Sequence, residues 1–141
     1  MTGSTEPTRP GLRILAVDDD PVNLSLIRAI LTRAGDATIR DAILREASSL
    51  AQARLVLGRE PIDILLLDVH LPDGLGLDLA TEVRKGHADG PAIVALTASV
   101  LPVDQQAALD AGCDAFLAKP YAAGALISIV SQLASAKRSP A

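Results

Sequence analysis

Three consecutive carboxylates, Asp18, Asp19 and Asp20, directly follow an apolar run at 14–17. Two unit charges about 4 Å apart repel by about 4 kcal/mol at an effective dielectric constant near 20. Such crowding therefore needs a cation, the N-terminus of a helix, or both. Asp20 precedes Pro21 and a helical pattern, so we expect it to cap that helix, which leaves Asp18 and Asp19 as candidate cation ligands.

Three more polar side chains, Asp68, Thr97 and Lys119, each stand at the end of an apolar run. In an open parallel sheet, sites form beyond the carboxyl ends of the strands, so these residues would meet the acids at one edge. Mg²⁺ fits such a set, because it takes a few carboxylate oxygens, keeps several waters and leaves positions for phosphate oxygens. The residue types therefore predict a Mg²⁺ site formed by Asp18, Asp19 and Asp68.

The elements that must position these residues alternate between strands and helices. Short apolar runs predict strands at 12–17, 41–47, 62–67, 92–97 and 114–118. A helical pattern follows each run, which predicts helices at 22–31, 49–57, 77–85, 102–111 and from 123 onward. Five strands alternating with five helices predict right-handed crossovers and a doubly wound α/β fold around a five-stranded parallel sheet.

The composition limits the class of protein. With 141 residues, 49% of them hydrophobic, the chain has the size of one domain, which we place at 12–135 between loose tails at 1–11 and 136–141. A net charge of −4 with scattered basic residues is unsuited to binding nucleic acid. No apolar run is long enough for a signal peptide or a membrane span, and the single Cys113 allows no intramolecular disulfide. We expect a cytoplasmic protein with no nucleic-acid or membrane partner.

Four fragments resemble the receiver domain of the two-component response regulator family. They are VDDDP at 17–21, LLLDVHLPDGLG at 65–76, ALTAS at 95–99 and FLAKPY at 116–121. Each fragment alone is unspecific, but all four occur in order and at the predicted strand ends, and the resemblance covers 12–135. It implies a (βα)5 flavodoxin-like fold with strand order 2-1-3-4-5, and a reversible aspartyl-phosphate switch.

The resemblance also implies a set of ligands and a phosphoacceptor. By motif position, Asp68 resembles the residue that accepts the phosphoryl group. Asp19 would bind Mg²⁺ directly, Asp18 mainly through water, and the backbone carbonyl of His70 would complete the ligands supplied by the protein.

Other positions match residues that contact the phosphoryl group or respond to it. Thr97 and Lys119 resemble the hydroxyl and the ammonium group that contact it, and a cis peptide bond before Pro120 would aim the lysine into the site. Phe116 resembles an aromatic residue that changes rotamer when Thr97 moves. Because Phe116 has no hydroxyl, such a switch would depend on packing, and plain core packing is the alternative.

Two positions match residues that set how long the phosphoryl group survives in the family, namely His70 and Ser99. The spacing of the chain also departs from the family pattern. Asp19 and Asp68 are several residues further apart than usual, so we expect the segment at 35–44 to lengthen the first helix, the second strand or the loop between them.

Three functions are compatible with these residues. The first is a phosphorylation-activated receiver that accepts its phosphoryl group from a histidine kinase or a histidine phosphotransfer protein. Such a receiver would signal by protein contact through its fourth helix, fifth strand and fifth helix, as a monomer or as a phosphorylation-dependent dimer. Because the sequence ends soon after the fifth helix, we expect no attached output domain, although FLAKPY also resembles receivers of hybrid kinases.

The second function is a degenerate receiver that acts as a phosphorylation-independent interaction module. The third is a small phosphatase of the haloacid dehalogenase type, with Asp18 as nucleophile and Asp20 as acid. That family also needs a late acidic pair, which the segment at 93–100 lacks. The identity of the aspartate that carries the phosphoryl group distinguishes the first function from the third.

Overall fold

The computed structural model describes residues 11–86 and 90–138, and its centre is a parallel sheet of five strands. These strands are β1 (Arg13–Val17), β2 (Ile43–Ala47), β3 (Ile64–Asp68), β4 (Ala92–Thr97) and β5 (Ala115–Ala118). Their order across the sheet is β2-β1-β3-β4-β5, with every neighbouring pair parallel. The predicted fold class and strand order are therefore confirmed.

Five longer helices cover the two faces of the sheet. They are α1 (Pro21–Thr32), α2 (Leu50–Arg59), α3 (Gly76–Gly86), α4 (Pro102–Asp110) and α5 (Ala123–Arg138). Residues 136–138 thus belong to α5 and extend it beyond the boundary predicted at 135. The remainder of the predicted tails, 1–10 and 139–141, lies outside the described residues.

Alternation along the strands sends side chains into two separate cores. Ile14 and Leu66 pack with α1 and α5 on one face, whereas Leu15 and Leu67 pack with α2, α3 and α4 on the other. Every residue of β3 and β4 is buried, as expected for strands covered on both faces. Packing on both faces thus holds β3 and β4 in place, and with them Asp68 and Thr97 at their carboxyl ends.

The extra length at 35–44 forms a short helix, Ala37–Arg40, between α1 and β2. Its one buried residue, Ile39, packs into the core formed with α1 and α5. The amides of Asp41 and Ala42 donate hydrogen bonds back to this turn. Strand β2 consequently begins at Ile43, two residues later than predicted, because the preceding amides are used to close the turn.

Helix α3 begins unusually close to the end of β3. The amide of Gly76 donates a hydrogen bond of 2.6 Å to the carbonyl of Val69. A Cβ atom at Gly76 would lie 2.1 Å from the carbonyl oxygen of Asp68, far inside van der Waals contact. Only glycine fits here without movement of the backbone that carries Asp68.

We predict that Gly76→Ala lowers the free energy of unfolding by about 1–3 kcal/mol, the usual cost of overpacking a tight site. The matched control is Gly58→Ala within α2, where nothing lies within 4 Å of an added Cβ. That change should raise the free energy of unfolding by about 0.5–1 kcal/mol, since alanine is the better helix former. Urea unfolding followed by circular dichroism measures both values, and equal effects of the two substitutions would contradict the close approach.

Candidate functional site

The carboxyl ends of the strands bring the predicted polar residues to one edge of the sheet. Asp68 and Thr97 are the last residues of β3 and β4, and Asp18 and Lys119 directly follow β1 and β5. The backbone continues the sheet pairing at these positions, because the amide of Asp18 donates to Ala47 and that of Lys119 donates to Thr97. The backbone of these site residues is thus held by the hydrogen bonds of the parallel sheet and not by loops outside it.

Three carboxylates converge at this edge. One oxygen from each of Asp18, Asp19 and Asp68 lies within 4.8 Å of the others. Asp18 and Asp68 are only 1% and 8% exposed, whereas Asp19 is exposed. Oxygen ligands about 2.1 Å from a Mg²⁺ ion lie roughly 3–4 Å from one another. Small side-chain rotations would bring these three carboxylate oxygens to that separation. The donor set, all oxygen and anionic, fits a hard divalent cation.

Lys119 forms ion pairs with the two buried acids. Its Nζ atom is 3.1 Å from Asp18 Oδ2 and 3.5 Å from Asp68 Oδ2. Burial alone lowers the pKa of Lys119, but the hydrogen bond to Asp18 and the charges of both acids outweigh that effect and raise it. Lys119 therefore stays protonated, and one ammonium faces three carboxylates, which leaves a formal local charge of −2.

Opposing effects act on the pKa of Asp68. Burial raises its pKa most, the charge of Lys119 lowers it, and the charge of Asp18 raises it again. The amide of His70 also donates to Asp68 Oδ1 at 3.3 Å, which favours the ionised form. The net result is a pKa above the ordinary value, so folding disfavours the ionised carboxylate in the metal-free protein.

The segment after β4 is held by a chain of side-chain hydrogen bonds. The amide of Ser99 donates to Thr97 Oγ1 at 3.0 Å, and the amide of Leu101 donates to Ser99 Oγ at 3.1 Å. Ser99 Oγ in turn donates to Asp104 Oδ2 at 2.5 Å. A hydroxyl that accepts one bond can still donate its proton, so Thr97 is suited to contact an added oxygen on Asp68.

The remaining predicted residues occupy distinct environments. Asp20 Oδ1 accepts from the amide of Val22 at 2.9 Å and caps α1, and the Lys119–Pro120 peptide bond is cis. Phe116 is half-buried and packs against the core formed with α2, α3 and α4. The side chain of His70 is exposed.

Two residues near the site were missed by the sequence analysis, Asp73 and Asp104. Asp104 lies at the third position of α4, where an acidic residue is a known signal of a helix start. Asp73 lies in the turn of a hairpin between strands His70–Leu71 and Gly74–Leu75. The Pro-Asp-Gly sequence at 72–74 is a turn signal that could have indicated this hairpin.

A known protein family matches most of this chain. The family model described as response regulator receiver domain matches residues 14–131. The chain belongs to this family.

Curated relatives of this receiver domain are longer proteins. It is 34% identical over 126 residues to the aerobic respiration control sensor protein ArcB of Escherichia coli, a match of 87% of this chain and 15% of that protein. It is 36% identical over 119 residues to the response regulator protein PilR of Pseudomonas aeruginosa, a match of 84% of this chain and 25% of that protein. The chain thus spans a quarter or less of the length of these two relatives.

Solved structures share the fold along nearly their whole length. A two-component response regulator from Clostridium difficile superposes with a TM-score of 0.81 at 23% identity, covering 91% of this chain and 99% of that one. A response regulator from Chloroflexus aurantiacus gives a TM-score of 0.77 at 28% identity, covering 88% and 98%. Within the described residues of the receiver domain, no helix has the length and apolar character needed to cross a membrane.

We predict that Asp68→Asn stabilises the metal-free receiver domain at pH 7 by about 0.5–2 kcal/mol, the usual range of single stabilising substitutions. The folded-state pKa of Asp68 is raised, so ionisation opposes folding above that pKa, and the penalty disappears below the unfolded value near 4. The stabilisation should therefore shrink as the pH falls from 7 towards 4. Urea unfolding in the presence of a chelator measures it.

The control for this prediction is Asp20→Asn. Asparagine caps helices about as well as aspartate, so the free energy of unfolding should change little. A stabilisation by Asp68→Asn that is the same at every pH, or a loss of stability at pH 7, would contradict the proposed burial penalty.

Proposed function

We propose that this receiver domain is a phosphorylation-activated signalling switch in which Asp68 accepts the phosphoryl group in a Mg²⁺-dependent reaction. The observation that carries the proposal is the acid cluster of Asp18, Asp19 and Asp68 with Lys119 bridging its two buried members. A buried carboxylate beside a fixed ammonium and two further acids is suited to phosphoryl transfer, which depends mostly on positioning and charge neutralisation.

The reaction begins with a carboxylate oxygen of Asp68 as the nucleophile towards phosphorus. A P–O bond to Asp68 forms while the P–N bond to the donor imidazole breaks, and the imidazole leaves with the electron pair and takes up a proton. Mg²⁺ would be held directly by Asp19, Asp68 and the carbonyl of His70, and through water by Asp18. When bound, it would neutralise the charge of the phosphoryl oxygens and orient them. Lys119, protonated at neutral pH, supplies the remaining positive charge.

Phosphorylation then changes the surroundings of Asp68. The new group carries about −1.5 to −2 charges and strong acceptor oxygens, which attract the hydroxyl of Thr97. Because Thr97, Ser99 and Asp104 are linked by hydrogen bonds, a displacement of Thr97 is transmitted to the first turn of α4. Phe116 would repack into the space that Thr97 leaves. His70 and Ser99 would control how easily water reaches the acyl phosphate and hydrolyses it.

We infer that the output is a protein contact through α4, β5 and α5. Val100, Leu101 and Val103 are exposed apolar residues beside the segment that follows Thr97, and such residues favour binding to a protein surface. The donor is a histidine kinase or a histidine phosphotransfer protein, in keeping with relatives named as a sensor protein and as a response regulator protein. A cytoplasmic location, and a monomer or phosphorylation-dependent dimer, belong to the same proposal.

The test is intact-mass spectrometry after incubation with Mg²⁺ and phosphoramidate, a small donor with the P–N bond of phosphohistidine. One labile phosphoryl group is expected on the wild type, and none on Asp68→Asn or in the presence of a chelator. Lys119→Met should slow the reaction by about 100-fold, the scale for loss of one group that stabilises developing charge.

Asp20→Asn is the matched control, because this acid caps α1 and should leave phosphorylation unchanged. Peptide mapping of the adduct decides between the alternatives. An adduct on Asp18 would indicate the phosphatase, which the family comparisons do not support. No adduct under any condition would indicate a phosphorylation-independent interaction module.

A further inference from the structure

The N-terminus of α2 is capped by two residues that are far apart in sequence. The first amides of a helix lack partners within the helix, so they need acceptors from elsewhere. Ser49 Oγ accepts from the amide of Gln52 at 3.2 Å. Asp73, 23 residues beyond Leu50, accepts from Leu50 with Oδ1 at 2.9 Å and from Ala51 with Oδ2 at 3.1 Å.

Asp73 lies at the tip of the hairpin that follows the phosphoacceptor. In this hairpin His70 pairs with Leu75 and Leu71 pairs with Gly74, and it begins two residues after Asp68. The carboxylate of Asp73 therefore ties the tip of the hairpin to the start of α2. The other end of the hairpin is fixed by the close approach of Gly76 to Asp68.

Packing and charge reinforce the attachment. Gly74 has φ of +147°, and a Cβ atom there would lie 2.9 Å from Cδ1 of Leu50, so the tip of the hairpin lies directly against α2. The positive end of the helix dipole favours a carboxylate at this place. The hydrogen bond from the Leu50 amide lowers the pKa of Asp73 most, so the group remains ionised and able to accept both bonds at neutral pH.

We propose that Asp73 is a positioning residue for the Mg²⁺ site: it clamps the hairpin to α2 and so fixes the backbone carbonyl of His70. This inference rests on the proposed function, in which that carbonyl is a ligand. The amide of His70 already contacts Asp68, so both backbone groups of His70 depend on the same hairpin. Loss of a residue that orients a metal ligand typically costs 10–100-fold in metal affinity.

The chain supplies a matched control for this role. Ser49→Ala removes a capping bond from the same helix without touching the hairpin, whereas Asp73→Ala removes the two bonds that join helix and hairpin. Both variants should lose some stability through α2, but only Asp73→Ala should affect Mg²⁺. Asp73→Asn, which keeps one acceptor oxygen, should be intermediate and serves if the alanine variant does not fold.

The experiment is a Mg²⁺ titration followed by amide NMR shifts, together with hydrogen exchange of residues 70–75 in metal-free buffer. For Asp73→Ala we expect the Kd for Mg²⁺ to rise about tenfold and exchange at 70–75 to accelerate, whereas Ser49→Ala should leave Kd within about twofold. Phosphorylation by phosphoramidate should slow at low Mg²⁺ and recover at high Mg²⁺.

Three results would overturn the inference. If the wild type binds Mg²⁺ and Asp73→Ala binds it equally well, Asp73 does not position the site, and the proposed function stands. An equal loss of affinity in Ser49→Ala and Asp73→Ala would show a general effect of weakening α2. If the wild type neither binds Mg²⁺ nor accepts a phosphoryl group, the proposed function fails instead, and this inference fails with it.

Discussion

The repulsion among three carboxylates at one edge of the sheet is the constraint on which the rest of this structure depends. Asp18 and Asp68 are almost fully removed from water. In the protein interior like charges repel more strongly than in water, and ionised groups lose their hydration. Lys119 offsets part of this cost by pairing with both acids, but one ammonium cannot balance three carboxylates. The protein therefore holds an electrostatically unfavourable arrangement, and the favourable energy that holds it must come from elsewhere in the fold.

That energy comes from the two cores and from the backbone ladder. Strands β3 and β4 are buried at every position, and their neighbours pair in register up to the residues of the site. The backbones that carry Asp18 and Asp68 cannot move apart without breaking these strands, because Asp68 ends β3 and the amide of Asp18 continues the pairing with β2. A divalent cation at this edge would thus meet carboxylates that are already close together, so little reorganisation would be needed for it to bind.

The sequence was sufficient for the parts of this fold that depend on local pattern. Apolar runs predicted all five strands, and the strand ends predicted where Asp18, Asp68, Thr97 and Lys119 meet. Features that depend on distant contacts could not be obtained in this way. The short helix at 37–40 forms because Ile39 finds a place in the core, and the attachment of Asp73 to α2 joins residues 23 positions apart. Neither partner of that attachment has a local pattern that identifies the other.

Asp68 lies between two segments that are restrained in different ways. The hairpin at 70–75 is tied to α2 by a carboxylate that accepts two backbone amides, and it is closed by the tight approach of Gly76. The segment after Thr97 is held by single bonds through Ser99 and Asp104, and it carries exposed apolar residues. If Asp68 is phosphorylated as we propose, the new charge would act on both segments. The hairpin would offer more resistance, because its two charge-assisted bonds join it to a separate helix, whereas the side-chain bonds of the other segment lie within residues 97–104. Under that proposal the response would be directed towards α4 and away from the residues proposed to hold Mg²⁺.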